Sequence, residues 1–232
     1  DFVSKASHEL RTPLSSIRAY VEMLVDGEAD DEESRAEFCG IIQHETERLG
    51  RLIDNMLNIS RIEAGIIQID REAVDIKQLI LRAVETIEPQ AREKDIAVNT
   101  RLVDVDLTVE GDRDMLYQVA INLMSNAVKY TPEGGRITVT ADSDNLTRSV
   151  VVSVSDTGLG IPPDDVPKIF DKFFRVENYK RVAKGTGLGL SLCKHIVESV
   201  HKGQIGVEST LGMGSRFWYS LPMRYEGSRF AA

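Results

Sequence analysis

Apolar positions near the start of the chain follow alternating steps of four and three. Val3, Leu10, Leu14, Ile17, Val21 and Leu24 lie on one stripe, with Ser7 filling its remaining position. This spacing predicts a helix to about residue 27 whose seam packs in a coiled coil or helical bundle. Pro13 lies inside the pattern, removes the amide that would bond the carbonyl of Glu9, and should bend the helix there. Gly27 and the acidic run Glu28 to Glu33 break the stripe and read as a loop followed by a capped helix start. A second stripe, Phe38, Ile42, Glu45, Leu49, Leu52, Met56 and Ile59, is widened by Ile41, Ile53 and Leu57 and ends near Gly65. Two long helices joined by a short loop make an antiparallel hairpin. Its apolar faces are too wide for one hairpin to cover, so a dimeric four-helix bundle through residues 1–66 is expected. The rival arrangement packs the hairpin against the rest of the chain.

After Gly65 the periodicity changes. Ile67 to Ile69 and Val74 to Ile76 read as strand pieces, and Ile76 to Lys94 as an amphipathic helix. Ile96 to Leu102 and Leu107 to Val109 read as strands, and Asp112 caps a helix reaching about Tyr130. Strands are expected at Arg136 to Thr140, Val150 to Ser155, Gln204 to Val207 and Arg216 to Leu221, with a helix over Leu188 to Val200. Without strict βαβ alternation, the expected fold is an α+β sandwich with helices on one face. The domains are 1–66 and 67–232, the boundary falling near residues 64–70.

Composition narrows the function. The net charge of −9 over 232 residues argues against a nucleic-acid binder. The only two cysteines, Cys39 and Cys193, lie far apart without metal-ligand spacing, so neither a disulfide framework nor a zinc site is expected, and a reducing compartment is the default. No apolar run approaches the roughly 20 residues that span a bilayer, so no membrane contact is expected. A chain that opens inside a helix without a starting Met reads as a piece of a longer protein.

Candidate chemistry begins at Ser7-His8-Glu9-Leu10-Arg11-Thr12-Pro13. A neutral imidazole is a nucleophile near neutral pH, and Glu9 beside it can hold or take the proton of the second ring nitrogen. His8 lies one position off the stripe and should reach solvent. His44, on the second helix, reads as a surface or core-filling residue. Asn122, Asn126, Lys129 and Tyr130 recur at helical spacing on one face. Amide oxygens there suit Mg²⁺, Lys129 suits phosphate and Tyr130 a base. Asp156-Thr157-Gly158-Leu159-Gly160 follows an apolar strand, where a carboxylate can accept the exocyclic amine of adenine. Gly185-Thr186-Gly187-Leu188-Gly189-Leu190 opens a helix, an arrangement that offers amides to phosphate. Phe170 to Arg175 leads into a polar stretch holding Lys180, Arg181 and Lys184, which reads as a lid.

Taken together, these stretches resemble the catalytic core of two-component sensor histidine kinases. Residues 7–13 resemble the H box, 122–130 the N box, 156–160 and 185–190 the two G boxes, and 170–175 the F box. The resemblance covers nearly the whole chain in the family's order, and no box is degenerate. It implies a phosphotransfer domain followed by an ATP-binding domain of the kinase, chaperone and topoisomerase type. It implies that ATP with Mg²⁺ phosphorylates His8, with Glu9 as base. The phosphoryl group then passes to an aspartate on a response-regulator receiver domain. For the subtype with an acidic residue after the histidine, it implies a phosphatase role for Thr12. Asp156 would hold adenine, Asn126 with Asn122 would hold magnesium, and Lys129 and Tyr130 would meet phosphate and base. Gly158, Gly160, Ile161, Phe173, Arg175, Lys184, Gly185, Thr186, Gly187, Leu188 and Gly189 would complete the nucleotide site. The fragment is expected in the cytoplasm; the residues leave open whether the full protein is anchored in a membrane.

Two other classes compete. An ATP-driven conformational machine would turn over ATP without forming an acid-labile phosphoprotein. A dimeric scaffold that senses nucleotide would bind without phosphorylation. The residue that separates them from an autokinase is His8.

Overall fold

The structure is a computed structural model that describes residues 2–179 and 185–223. The chain divides into two compact units, residues 1–60 and 61–232.

The first unit is the helical hairpin. Helix α1 spans Phe2–Val25 and continues through Pro13, which is buried. Helix α2 spans Glu32–Glu63 and opens with two acidic residues in its first turn, where the helix dipole favours them. Just ahead of it, Asp31 accepts from the Ser34 backbone N–H at 2.7 Å and the Ser34 hydroxyl at 2.9 Å. Those two bonds, the backbone one first, hold the Asp31 carboxyl below its usual pKa. At the far end Gly65, at φ +67°, closes α2, the Gly65 and Ile66 N–H groups donating to Ile62 and Arg61 carbonyls. The two stripes divide their work. Leu52 and Ile59 are buried, whereas Leu14, Val21, Ile53 and Leu57 are exposed. Tyr20 and Phe38 meet edge to face across the two helices at 5.2 Å.

The second unit is an α+β sandwich, as expected. Strand β1 (Arg71–Asp75) leads into α3 (Ile76–Glu93), and β2 (Ala97–Leu102) and β3 (Thr108–Asp112) into α4 (Arg113–Tyr130). Strands β4 (Arg136–Asp144) and β5 (Ser149–Asp156) precede α5 (Gly189–Lys194), which continues as a π-helical segment over His195–Val200. Strands β6 (Gln204–Thr210) and β7 (Gly214–Pro222) end the described chain. The main sheet has the order β2-β4-β5-β7-β6, with β2 and β4 parallel and the remaining pairs antiparallel. Strands β1 and β3 form a separate antiparallel pair in which Val74 faces Val109.

The core lies between one sheet face and the helices. Ile137, Val139, Ala141, Val150, Val152 and Val154 alternate inward from β4 and β5. Buried with them are Ile80, Ala83 and Ile87 of α3, Leu116, Leu123 and Met124 of α4, and Leu192 and Ile196 beyond Gly189. Both long helices of this unit are capped by the aspartate that precedes them. Asp75 accepts from the Lys77 and Gln78 N–H groups, and Asp112 from that of Met115.

Three element expectations need correction. Residues 67–69 are not a strand, and β1 occupies 71–75, because only 71–75 find a partner in β3. The helix expected over 188–200 is α-helical only to Lys194 and then widens into the π segment. Strands β4 and β6 run three or four residues beyond their apolar runs, since pairing with β5 and β7 continues over Asp142–Asp144 and Glu208–Thr210.

Candidate active site

The N-box face is set by the amphipathy of α4. Leu123, Met124, Ala127 and Val128 are buried in the core, which turns Asn122, Asn126, Lys129 and Tyr130 to the half-buried opposite side. The amide nitrogen Nδ2 of Asn122 is buried without a full hydrogen bond among the described residues, although the Asn122 side chain acts on the buried Cys193 thiol. Position 189 packs against the same side chain: a Cβ there would lie 3.6 Å from Asn122 Oδ1. The Lys129 ammonium stands 5.6 Å from the Tyr130 ring centre, and a Cβ at position 185 would come within 2.7 Å of it. The N box and the second glycine motif are therefore neighbours.

The first glycine motif joins them from the end of β5. Asp156 Oδ1 accepts from the Gly158 N–H at 2.8 Å and the Ser215 N–H at 3.3 Å, and Oδ2 takes no hydrogen bond among the described residues. Burial raises the Asp156 carboxyl pKa above the usual range, against the opposing pull of the two N–H donors. The Leu159 N–H donates to the Tyr130 carbonyl, and Ile161 is buried with its N–H on Ser209 Oγ. Tyr179 lies 6.1 Å from Tyr130 between ring centres, its hydroxyl donating to the Leu159 carbonyl.

The aromatic F-box stretch is threaded onto the glycine loop. The Phe173 N–H donates to the Gly187 carbonyl at 2.8 Å, and both residues have positive φ, +62° and +69°. A Cβ at Gly187 would sit 2.7 Å from the Phe173 carbonyl carbon, so only glycine fits. Phe173 has no such freedom. Its left-handed backbone is a strained conformation of the kind concentrated at functional sites. Arg175 lies near enough to Tyr130 to act on the phenol electrostatically, although burial dominates and raises the Tyr130 pKa. Thr186 and Leu188 complete the loop, the Leu188 N–H bonding the Thr186 hydroxyl at 3.4 Å. Lys184, with Lys180 and Arg181, lies outside the described residues.

On the hairpin, the His8 side chain is 77% exposed, with Nδ1 4.0 Å from a Glu9 carboxylate oxygen. Thr12 lies one turn on, its hydroxyl 3.4 Å from the His8 carbonyl, a long contact that leaves it on the His8 side of α1. His44 is a half-exposed surface residue.

Three contributors escape a reading by motif. Arg48 of α2 bonds the buried Glu45 at 3.1 Å and reaches to 4.0 Å from Glu9. Lys94 donates to the carbonyls of Val128, Lys129 and Thr131, holding the end of α4 where Lys129 and Tyr130 sit. Ser215 supplies one donor to Asp156. Each acts across a long sequence separation that periodicity does not report.

A half-buried carboxylate, an amide-bearing helix face and a glycine loop converging on one side of a sandwich describe a nucleotide-binding domain of ATPase type. Comparisons with known proteins agree. The family described as "Histidine kinase-, DNA gyrase B-, and HSP90-like ATPase" matches residues 111–225, and "His Kinase A (phospho-acceptor) domain" matches residues 1–65. The chain is 38% identical over 227 residues to the sensor histidine kinase WalK of Bacillus subtilis (strain 168), covering 97% of this chain and 37% of that protein. The catalytic domain of histidine kinase ThkA superposes with a TM-score of 0.58 at 34% identity, covering 66% of this chain and 95% of that one. ThkA in complex with response regulator protein TrrA gives a TM-score of 0.74 at 28% identity, over 96% of this chain and 61% of that one. The chain belongs to the histidine kinases and carries their phospho-acceptor and ATP-binding domains. It spans about a third of the length of the WalK relative. Among the described residues no helix is long and apolar enough to cross a membrane.

Proposed function

We propose that this chain phosphorylates itself on His8 from ATP and hands the phosphoryl group to an aspartate of a response-regulator receiver domain. The observation that carries the reading is the pairing of an exposed His8–Glu9 couple on a phospho-acceptor hairpin with a convergent ATP-type site. In the reaction, His8 Nε2 attacks the γ-phosphorus, the bond to the bridging oxygen breaks, and ADP leaves. Glu9, on the Nδ1 side, takes the ring proton once the present 4.0 Å gap closes. Arg48, bonded to Glu45, holds the Glu9 carboxylate in place.

In the ATP site, Asp156 Oδ2 accepts the adenine amine and Tyr130 covers the base. Lys129, Arg175 and Lys184 meet phosphate, and residues 185–189 line it. The donor set fits magnesium, which takes few protein oxygens and keeps water and phosphate oxygens: Asn126 and Asn122 offer amide carbonyls, and no group of three or more His, Cys, Asp or Glu competes among the described residues. When bound, the ion neutralises phosphate charge. Residues 1–66 serve dimerisation and phosphotransfer and 67–232 catalysis, with a hinge near 64–70 bringing donor and acceptor together. The fragment works in the cytoplasm, where ATP is.

Three outcomes are expected. Asn126→Ala weakens magnesium-dependent ATP binding by roughly tenfold or more, since one amide ligand and its charge-assisted contacts go; unchanged affinity in titration calorimetry contradicts the magnesium assignment. Leu57→Asp turns a dimer into a monomer in light scattering, because the exposed Leu14, Val21, Ile53 and Leu57 surface is what a second hairpin covers and a buried unpaired charge costs several kcal/mol. A dimer that persists refutes the bundle. Thr12→Ala keeps autophosphorylation and transfer but slows dephosphorylation of the regulator, because its hydroxyl can orient water against a phosphoaspartate. Equal decay of the phosphorylated regulator with either chain removes that role.

A further inference from the structure

His201 is buried, only 6% exposed, and lies just beyond the π-helical segment that continues α5. Its ring bonds in two directions. Nε2 lies 3.0 Å from the Asp112 backbone N–H, and Nδ1 lies 2.8 Å from the Ile196 carbonyl. An amide N–H only donates and a carbonyl only accepts. Both bonds therefore require a neutral ring with its proton on Nδ1. The space is fitted to the ring: a Cβ at Gly111 would lie 2.8 Å from Cδ2 and 2.9 Å from Nε2.

The ring joins the elements that carry the nucleotide site. Asp112 is the N-cap of α4, its side chain accepting from the Met115 N–H and, through Oδ2, from the Asp70 N–H. Arg71 reaches across to the Val200 carbonyl at the end of the π segment. Helix α4 carries Asn122 and Asn126, and α5 begins at Gly189, against Asn122. The two segments thus run antiparallel, pinned by His201 at the ends remote from that contact.

We propose that His201 is a positioning residue for nucleotide binding: its neutral ring fixes the N-box helix against the helix that opens at the glycine loop, and a proton on Nε2 breaks that register. The inference rests on the assignment of the N-box and glycine-loop residues to ATP. A protonated ring would aim an N–H at the Asp112 N–H. Of the charged groups facing the ring, Arg71 on β1 opposes the proton and Asp112 on β3 favours it. Burial is the largest influence and, against the bond to the Ile196 carbonyl and the Asp112 charge, keeps the pKa below 6.5. The contribution to folding is present in full above pH 6.5 and is lost as pH falls through the lowered folded value.

The test measures ATP affinity of the unsubstituted chain and His201→Asn between pH 5 and 8. Asparagine keeps a donor for the Ile196 carbonyl, loses the acceptor for Asp112 and does not titrate. At pH 7.5 the variant should bind ATP roughly fivefold to tenfold more weakly, the loss expected for one buried hydrogen bond. The ratio between the two chains should shrink towards one in acid, and titration of the nucleotide itself cancels in that ratio. A ratio independent of pH overturns the proposal. A second measurement needs no variant. If protonation opposes nucleotide, saturating ADP must lower the His201 ring pKa by linkage, read by nitrogen-15 NMR. An unchanged ring pKa with ADP bound overturns the proposal, whereas ADP that does not bind at all overturns the nucleotide-site assignment instead.

Discussion

The His8→Gln chain, given labelled ATP and magnesium, takes up at least about a hundredfold less label than the unsubstituted chain, because its only attacking nitrogen is gone. Its ATP affinity is expected to stay within about twofold, since residue 8 and the residues assigned to ATP belong to different compact units. Residue 8 belongs to the hairpin unit, whereas Asp156, the N-box face and the glycine loop all belong to the second unit. Helix α1 itself survives: the side chain at position 8 is largely solvent-exposed and glutamine is a good helix former. Autophosphorylation and ATP binding, measured on the same preparation, separate acceptor from donor. Residual labelling near the wild-type level would mean another residue is the acceptor; loss of ATP binding would mean the variant is misfolded.

Asp156→Asn should produce the opposite split. ATP binding should fall by roughly a hundredfold, because the group proposed to face the adenine amine changes from a charged acceptor to an amide that can present a donor. Guanine carries a carbonyl where adenine carries that amine, so the variant should lose much of its preference for ATP over GTP. Stability goes the other way. The folded-state carboxyl pKa is raised above 3.8, so the proton binds the folded chain more tightly than the unfolded one. The stabilisation this represents is present in acid and lost as pH rises through the raised value; at neutral pH the ionised carboxylate is a net cost. Removing its charge should leave the melting temperature at pH 7 no lower than that of the unsubstituted chain, while ATP affinity collapses. For the unsubstituted chain, ATP affinity should decline in acid as Asp156 takes up its proton. Normal ATP affinity and unchanged nucleotide preference in the variant would remove Asp156 from the base pocket.

What could be read in the sequence was whatever is local. The stripes of both long helices, the capping aspartate Asp112, and the side of α4 that bears Asn122 and Asn126 follow from local residue type and spacing. Within-strand alternation was legible in β4, where Ile137, Val139 and Ala141 enter the core between more exposed polar neighbours. Strand limits were not, because a strand exists where a partner runs beside it. Residues 67–69 have the composition of a strand but no partner, and Asp142–Asp144 lack the composition but pair with β5. The contacts that hold the site cross the chain and were invisible to periodicity: Lys94 on the end of α4, Ser215 on Asp156, His201 on the start of α4. The widening of α5 into a π segment is likewise unmarked by glycine or proline. Phe173 illustrates the remaining gap. Its type was expected in the F box, but its left-handed backbone arises from the bond to the Gly187 carbonyl fourteen residues on.

Transfer to histidine makes a phosphorus–nitrogen bond, and this is the property that most directly separates an autokinase from an ATP-driven machine or a nucleotide sensor of the same fold. The chain is incubated with ATP labelled in the γ-phosphate and magnesium, and the protein is then divided between acid and alkali. A histidine kinase leaves label on the protein that disappears in acid and survives alkali. Label that survives acid, or ATP turned over with no label on the protein, would contradict autophosphorylation on histidine.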